Sequence, residues 1–387
     1  MLTYFLSQMG LPAEVFAIKT LLQGDKEGET EFRKELQHLN DFRTHNNKHL
    51  MLGLAAFQYR GEWSIIFPKA ECDLSKYMDD HSPPGTWDGM QGAAEQLSGL
   101  MSALGDIHSP VRLYAVHPKQ KEPIFGMHGD IKGDNILCFP STEGLEMLFV
   151  LADFGLSATH REQSRSNIPN KDIPPVPGYR PPECDIEGGT CSRLFDVWTI
   201  GCLYLDFLTW LLGGRELLEA FRKFRTTLYI KGTKLDIFFE FKRVKGGQGY
   251  VIQVKPEVRK WIERLRDRDN CSQMVQDMLT IIETNMLVVL AQGYTRMPAA
   301  ELRHKFKAIH DLSRKDEAYC IGKGKRPRAG PFHADAVEAK PNFKARDWLV
   351  GNEGRLGEYS GTASAALPLK DQENPDMYKP GLAIPVA

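Results

Sequence analysis

Two short polar loops at a fixed separation constrain this chain more than any other feature of its sequence. The first is His128-Gly129-Asp130-Ile131-Lys132-Gly133-Asp134-Asn135. The second is Asp153-Phe154-Gly155, which begins 18 residues after Asn135. Between them the residues read as strand, turn, strand: Ile136 to Phe139, then Pro140 to Gly144, then Leu145 to Ala152. Each specified position matches by chance roughly one time in twenty on average composition. Seven such positions in order, flanking a readable hairpin, are a specific signal. A lone Asp-Phe-Gly is a turn in most proteins, but beside the first loop that reading loses its force.

The rest of the chain reads as a small strand-rich front and a large helical rear. Residues 14–20 form a short apolar, β-branched run that predicts a strand. Phe32, Leu36, Leu39 and Phe42 make one apolar stripe and predict a helix over 29–42. Two more strands are expected at 50–57 and 63–67, joined by a turn at Arg60-Gly61-Glu62, with Pro68-Lys69-Ala70 as a linker. Met90, Ala94, Leu97, Met101 and Leu104 predict a long helix over about 87–107. Trp198 to Leu212 is apolar, carries Asp206, is too short to cross a bilayer and reads as a buried core helix. After residue 195 the periodicity is helical almost throughout, with an irregular basic stretch at 222–256.

Composition bounds the alternatives. Of 387 residues, 49 are Lys or Arg and 50 are Asp or Glu, so the net charge is -1. That balance gives no general drive toward nucleic acid or an anionic membrane, and neither is expected as a partner. The seven cysteines are widely spaced, without a CxxC pair, which argues against a disulfide scaffold or zinc module and for a reducing compartment. An intracellular, cytoplasmic location is expected. The basic run Lys323 to Arg328 is compatible with a nuclear signal and with an ordinary solvated surface. From 321 to 387, Gly and Pro are 15 of 67 residues and Val, Ile, Leu and Phe only 12. Such a stretch can hardly offset its ordering entropy, so 313–387 is expected as a disordered tail.

The two loops resemble the catalytic and metal-binding loops of eukaryotic protein kinases. Later residues agree with that resemblance. Tyr179-Arg180-Pro181-Pro182-Glu183 is similar to the motif closing the activation segment, and Asp196-Val197-Trp198 to the start of the helix beneath the catalytic loop. Arg296 sits where the family has an arginine that pairs with that glutamate. Phe16-Ala17-Ile18-Lys19 is similar to the strand bearing the phosphate-contacting lysine. The resemblance covers about 14–310, and within the family the chain resembles fungal serine/threonine kinases with a His-Gly-Asp loop and an Asp-Xaa-Glu-Gly-Gly segment, here Asp185 to Gly189.

The resemblance implies an α+β, two-lobed fold: an incomplete N-lobe and hinge at 1–70 and a mainly helical C-lobe at 71–312. It implies ATP and Mg²⁺ as cofactors and a protein substrate, and it leaves the oligomeric state open. Asp130 would orient the substrate hydroxyl or accept its proton, and Lys132 would face the transferred phosphate. Asn135 and Asp153 would supply hard oxygens to Mg²⁺. Lys19 would reach the ATP phosphates. Glu35, on the inward side of the 29–42 helix, would be its partner, since a carboxylate there is costly unless paired. Phe67 would guard the back of the adenine pocket, with the backbone of Pro68 and Ala70 as hinge contacts.

Residue by residue, blander roles compete. His128 reads as a hydrogen-bonded structural histidine, Glu183 with Arg296 as a buried structural pair, and Asp196 as a structural anchor. Lys19 alone could snorkel out of an edge strand. Gly246-Gly247-Gln248-Gly249 lies too far downstream to cradle phosphates, and Ser164 and Ser166 are ordinary loop serines.

The chain also departs from the family pattern. Only 18 residues precede Lys19 and Gly10 is their sole glycine, so the glycine-rich turn over the phosphates is not expected in this chain. A truncated front and a reduced, weakly ATP-binding protein both fit. Gly129 replaces a common arginine that reads an activation-loop phosphate, Val176 a threonine, and Pro181 an alanine. Three functions therefore stand side by side. They are a serine/threonine protein kinase, a pseudokinase or binding module, and a small-molecule phosphotransferase of the aminoglycoside or choline type. Lys132, Pro182-Glu183 and Asp196-Val197-Trp198 favour protein substrates.

Overall fold

The structure, a computed structural model, describes residues 16–21, 32–33, 36, 46–109, 124–141, 146–153, 158–161, 168–169, 178–228, 234–244, 249–291, 294–327 and 337–341. Small sheets and long helices are both present, in an α+β arrangement. At the front, β1 (Phe16–Leu21), β2 (Ala55–Tyr59) and β3 (Glu62–Pro68) form an antiparallel sheet in the order β1-β3-β2. Arg60 and Gly61 both have positive φ, 51° and 86°, so β2 and β3 are joined by a two-residue turn whose twist suits a hairpin. Phe32 and Arg33 are helical, and the buried Phe32 ring stacks on Trp63 with centroids 4.7 Å apart.

Behind the sheet, β4 (Cys72–Asp73) leads into α1 (Leu74–Asp80), whose first turn is capped by Asp73 accepting the Lys76 N–H at 2.8 Å. The long helix α2 (Trp87–Ile107) starts at Thr86, which caps Gly89, and every member of its predicted stripe is buried. The segment β5 (Ile124–Met127) enters the first polar loop. Then β6 (Ile136–Pro140) and β7 (Met147–Leu151) make the expected hairpin, and β4 extends it in the order β4-β6-β7. A strand β8 (Ala158–Arg161) pairs back on β5.

The centre of the rear is α3 (Leu194–Arg225), buried continuously from Phe195 to Leu212. Its most apolar stretch is 94% buried by the surrounding fold, as a core helix requires. Helical geometry breaks at Gly213 and Gly214 and then resumes. The helices α4 (Pro256–Arg266), α5 (Gln273–Ile281) and α6 (Ala299–Ser313) complete the core, with α6 packed along α2.

Two regions differ from the sequence expectation. The basic stretch read as irregular holds a hairpin of β9 (Phe239–Arg243) and β10 (Tyr250–Val254). Phe239 and Phe241, and on the facing strand Tyr250, Ile252 and Val254, recur at a spacing of two. Arg243, which takes the next place in the Phe239–Phe241 series, and Val251, which intervenes in the facing strand, obscured that period. Part of the segment expected as a disordered tail is also described. α7 (Glu317–Cys320) buries Tyr319 and Cys320, and β11 (Val337–Ala339) adds to the edge of β10. Glu187 N–H then donates to Lys340 O at 2.8 Å. An edge strand docks through its backbone, so bulk composition does not reveal it.

The core helix carries its carboxylate, Asp206, in a polar knot. Asp206 accepts from Tyr179 Oη at 2.6 Å and from Arg225 Nη1 at 2.9 Å. The Arg225 guanidinium lies between the Phe221 and Phe238 rings, 4.6 and 4.5 Å from their centroids. Lys255 closes the knot by donating to Arg225 O and Leu235 O, both at 2.8 Å. Burial pushes the Lys255 ammonium down from 10.5 to about 8. Between those two values the unfolded chain keeps the proton and the folded chain has lost it, so stability rises with pH there. Relative to Lys255→Met, the parent chain should gain on the order of 2–3 kcal/mol as pH climbs from 8 to 10.5. Urea melts at stepped pH measure this, and a difference that stays flat would remove the buried-charge account.

Candidate active site

The first polar loop hangs from Asp196, in the first turn of α3. This fully buried carboxylate accepts His128 N–H on Oδ2 at 2.8 Å and Gly129 N–H on Oδ1 at 2.9 Å. His108 Nε2 adds a third contact, 2.9 Å from Oδ2. Nothing in the sequence marked His108, which follows the last turn of α2. Gly129 has φ +81°, a backbone position that a side chain would strain.

The His128 imidazole is spent on backbone. Asp130 N–H donates to Nδ1 at 3.3 Å, so Nδ1 is the acceptor and Nε2–H donates to Ala152 O at 3.0 Å. A ring so tied holds the two polar loops at a fixed distance and has no nitrogen left to act as a base.

Three predicted residues meet within the loop. Lys132 Nζ lies 3.0 Å from Asp130 Oδ2, and Asn135 Nδ2 donates to the same oxygen at 2.9 Å and to Asp130 O at 2.8 Å. Asp130 is thereby held by one oxygen, and among the described residues Oδ1 is the one left to meet a hydroxyl. Asn135 points its amide nitrogen at Asp130, which leaves its Oδ1 as the acceptor side.

The second loop is joined to the first through backbone: Ala152 N–H donates to Asn135 O at 2.9 Å. The next residue, Asp153, adopts φ +65°, a left-handed conformation that Asp tolerates better than most residues. Its Oδ1 lies 3.0 Å from Lys19 Nζ, and both side chains are open to solvent, 49% and 38% exposed. Lys19 comes from β1, opposite Ile65 of β3. The expected partner Glu35 lies outside the described residues, as do Phe154, Gly155 and Val176. Asp153 is the carboxylate seen against Lys19, across 134 positions of chain.

The predicted hinge sits at the end of the front sheet. Pro68 is the last residue of β3, paired with Phe16, and Phe67 packs half-buried on the core. Ala70 is half-buried in irregular backbone. One residue on, Glu71 N–H donates to Cys138 O at 2.9 Å, which ties the hinge to the strand that leaves Asn135.

The oxygens of Asp153 and Asn135 suit a hard cation. Mg²⁺ takes few protein oxygens and completes its shell from phosphates and water, so these two side chains would suffice for it.

Farther out, Glu183 and Arg296 form the expected pair, Nη1 to Oε1 at 2.6 Å and Nη2 to Oε2 at 2.9 Å, both residues buried. Arg180 and Asp185, which the sequence did not single out as a pair, meet at 2.8 Å in the same buried region.

Comparison with known proteins adds to this geometry. A family model described as Protein kinase domain matches residues 11–280. Similar curated proteins include Cyclin-dependent kinase C-3 of Oryza sativa subsp. japonica, 28% identical over 203 residues, 49% of this chain and 54% of that protein. Cyclin-dependent kinase C-2 of the same plant is 29% identical over 163 residues, 42% of this chain and 26% of that protein. Serine/threonine-protein kinase ICK of Rattus norvegicus is 34% identical over 82 residues, 21% and 12% of the two chains. The chain thus spans about half the length of these relatives, or less.

Proposed function

This chain belongs to the protein kinase family, and we propose that it transfers the γ-phosphate of ATP to serine or threonine hydroxyls of protein substrates. One observation carries the reading. Lys19 from the front sheet, Asp130, Lys132 and Asn135 from one loop and Asp153 from the other are linked by bonds of 2.8 to 3.0 Å and a shared backbone contact.

Each residue has work that its position suits. Asp130 Oδ1 orients the attacking hydroxyl and takes its proton, while Oδ2 stays fixed by Lys132 and Asn135. The Lys132 ammonium, beside that carboxylate, compensates charge building on the transferred phosphoryl oxygens. Lys19, partly open to solvent, would meet a phosphate from beside Asp153. Asp153 and Asn135 would hold Mg²⁺, which when bound would neutralise the phosphate oxygens. Pro68 O and the Ala70 backbone would meet the adenine. The lysine after the catalytic aspartate and the Pro182-Glu183 motif support protein hydroxyls as acceptors.

Asp153→Ala tests the reading. Calorimetric titration with ATP, with and without Mg²⁺, should show the Mg²⁺-dependent part of the affinity lost. Phosphate incorporation into a protein substrate should fall by roughly a hundredfold or more. A variant that binds Mg²⁺-ATP and transfers phosphate like the parent chain would overturn the assignment.

A further inference from the structure

Cys72 of β4 and Cys138 of β6 stand directly opposite one another in the antiparallel register. Cys72 is partly exposed and Cys138 is buried. The two thiols interact, and the interaction moves their acidities apart. Their place in the chain gives the pair its interest: Cys72 follows Ala70 by two residues, and Cys138 follows Asn135 by three. We propose that Cys72 and Cys138 are an oxidation site, a thiol pair that a hydroperoxide closes into a disulfide across the base of the nucleotide cleft. The cross-link stands on the strand register, with the acidity of Cys72 in support, and its effect on nucleotide rests on the kinase reading.

The two thiols are not equivalent. The contact with Cys138 holds the Cys72 thiol below its usual range, against burial and the Asp73 and Glu71 carboxylates, which push it up. The same contact, together with burial, holds the Cys138 thiol up. Cys72 is therefore the more acidic and the more accessible thiol of the pair, and the nucleophile when it ionises. Its thiolate, formed by loss of the thiol proton to solvent, attacks the peroxide, the O–O bond breaks, and the leaving oxygen takes a proton from solvent and departs as alcohol or water, which gives a Cys72 sulfenic acid. Cys138 sulfur then attacks the Cys72 sulfur, the S–O bond breaks, and the hydroxyl leaves as water with the Cys138 proton. Two thiols have lost two electrons, and the peroxide has taken them up.

Directly opposed residues hold their Cβ atoms roughly 4.5–5.5 Å apart, whereas a disulfide draws them to about 3.8 Å. Closure therefore pulls the hinge side and the Asn135 side of the cleft together by about 1 Å, a displacement that such sites do not absorb. A second thiol pair supplies a contrast. Cys184 and Cys191 have Sγ atoms 3.7 Å apart, but contact and burial push the Cys184 thiol well up, so it is a poor nucleophile.

The test treats the full chain with graded hydrogen peroxide, alkylates the remaining thiols and maps cross-linked peptides by mass. The expected first product joins Cys72 to Cys138 with loss of two hydrogens, is reversed by dithiothreitol and is absent from Cys72→Ser. Cross-linked chain should bind Mg²⁺-ATP at least roughly fivefold more weakly until it is reduced. Cys72 driven to sulfinic acid with Cys138 untouched, or Cys184 joined to Cys191 first, would overturn the site. Unaltered nucleotide affinity in cross-linked chain would overturn its effect on the cleft. A reduced chain that cross-links as expected but never binds nucleotide would sink the kinase reading and leave the oxidation site standing.

Discussion

Asp130→Asn will hold Mg²⁺-ATP as tightly as the parent chain and transfer phosphate roughly a hundred- to ten-thousandfold more slowly. The substitution preserves shape, and the loop can orient the new amide. Lys132 Nζ and Asn135 Nδ2 both donate to Oδ2 of Asp130. They will select the rotamer that leaves the amide oxygen there. The amide nitrogen must then stand where Oδ1 stood, and it offers N–H groups to the incoming hydroxyl instead of an acceptor. The substrate loses its orienting base, while Lys19, Asn135 and Asp153 keep their places. Calorimetry for nucleotide and phosphate incorporation for turnover separate the two effects. Equal loss of both, with a lowered melting temperature, would mean that Asp130 serves the loop's folding and not the transfer.

The contrast between what the sequence revealed and what it hid follows the range of the interactions involved. The stripe from Met90 to Leu104 is local, and its helix runs Trp87–Ile107 as read. The hairpin between the polar loops is also local, and it brings Asn135 and Asp153 to the same place because β6 and β7 pair over five residues. Contacts across the chain were another matter. Lys19 meeting Asp153 spans 134 positions, and His108 meeting Asp196 spans 88. Neither has a periodicity to betray it. The Cys72–Cys138 opposition depends on the register of a two-residue strand, which is too short to carry a pattern. The β9–β10 hairpin did alternate, but Arg243 breaks the series of β9 and Val251 blurs that of β10, and the basic character of the surrounding stretch masked the period. Docking of Val337–Ala339 on β10 is a backbone event that side-chain identity barely specifies.

Arg296→Met should lower stability by about 3–5 kcal/mol, the largest single loss expected outside the polar loops. The arginine side chain is fully buried. It gives two bonds to Glu183, one from Nε to Val288 O at 2.9 Å and one from Nη1 to Leu194 O at 2.9 Å, with its guanidinium 4.9 Å over the Trp198 ring. Methionine fills much of the same volume, so a cavity contributes little. What remains is a buried carboxylate, a buried carbonyl at Val288 and a partly buried one at Leu194 without these donors. The cost is therefore one of stranded polarity, and it makes a further commitment. Glu183→Gln combined with Arg296→Met should recover part of the loss, because a neutral amide is cheaper to bury than a carboxylate. Glu183 closes the Tyr179–Glu183 motif, and Leu194 O belongs to the first turn of α3, two residues before Asp196. Arg296 thus joins that motif to the helix holding the Asp130 loop, so Arg296→Met should unfold at lower urea and also lose phosphate transfer. A urea midpoint matching the parent's would show that Glu183 finds another donor, and would remove this pair from the account of how the rear of the molecule holds the Asp130 loop.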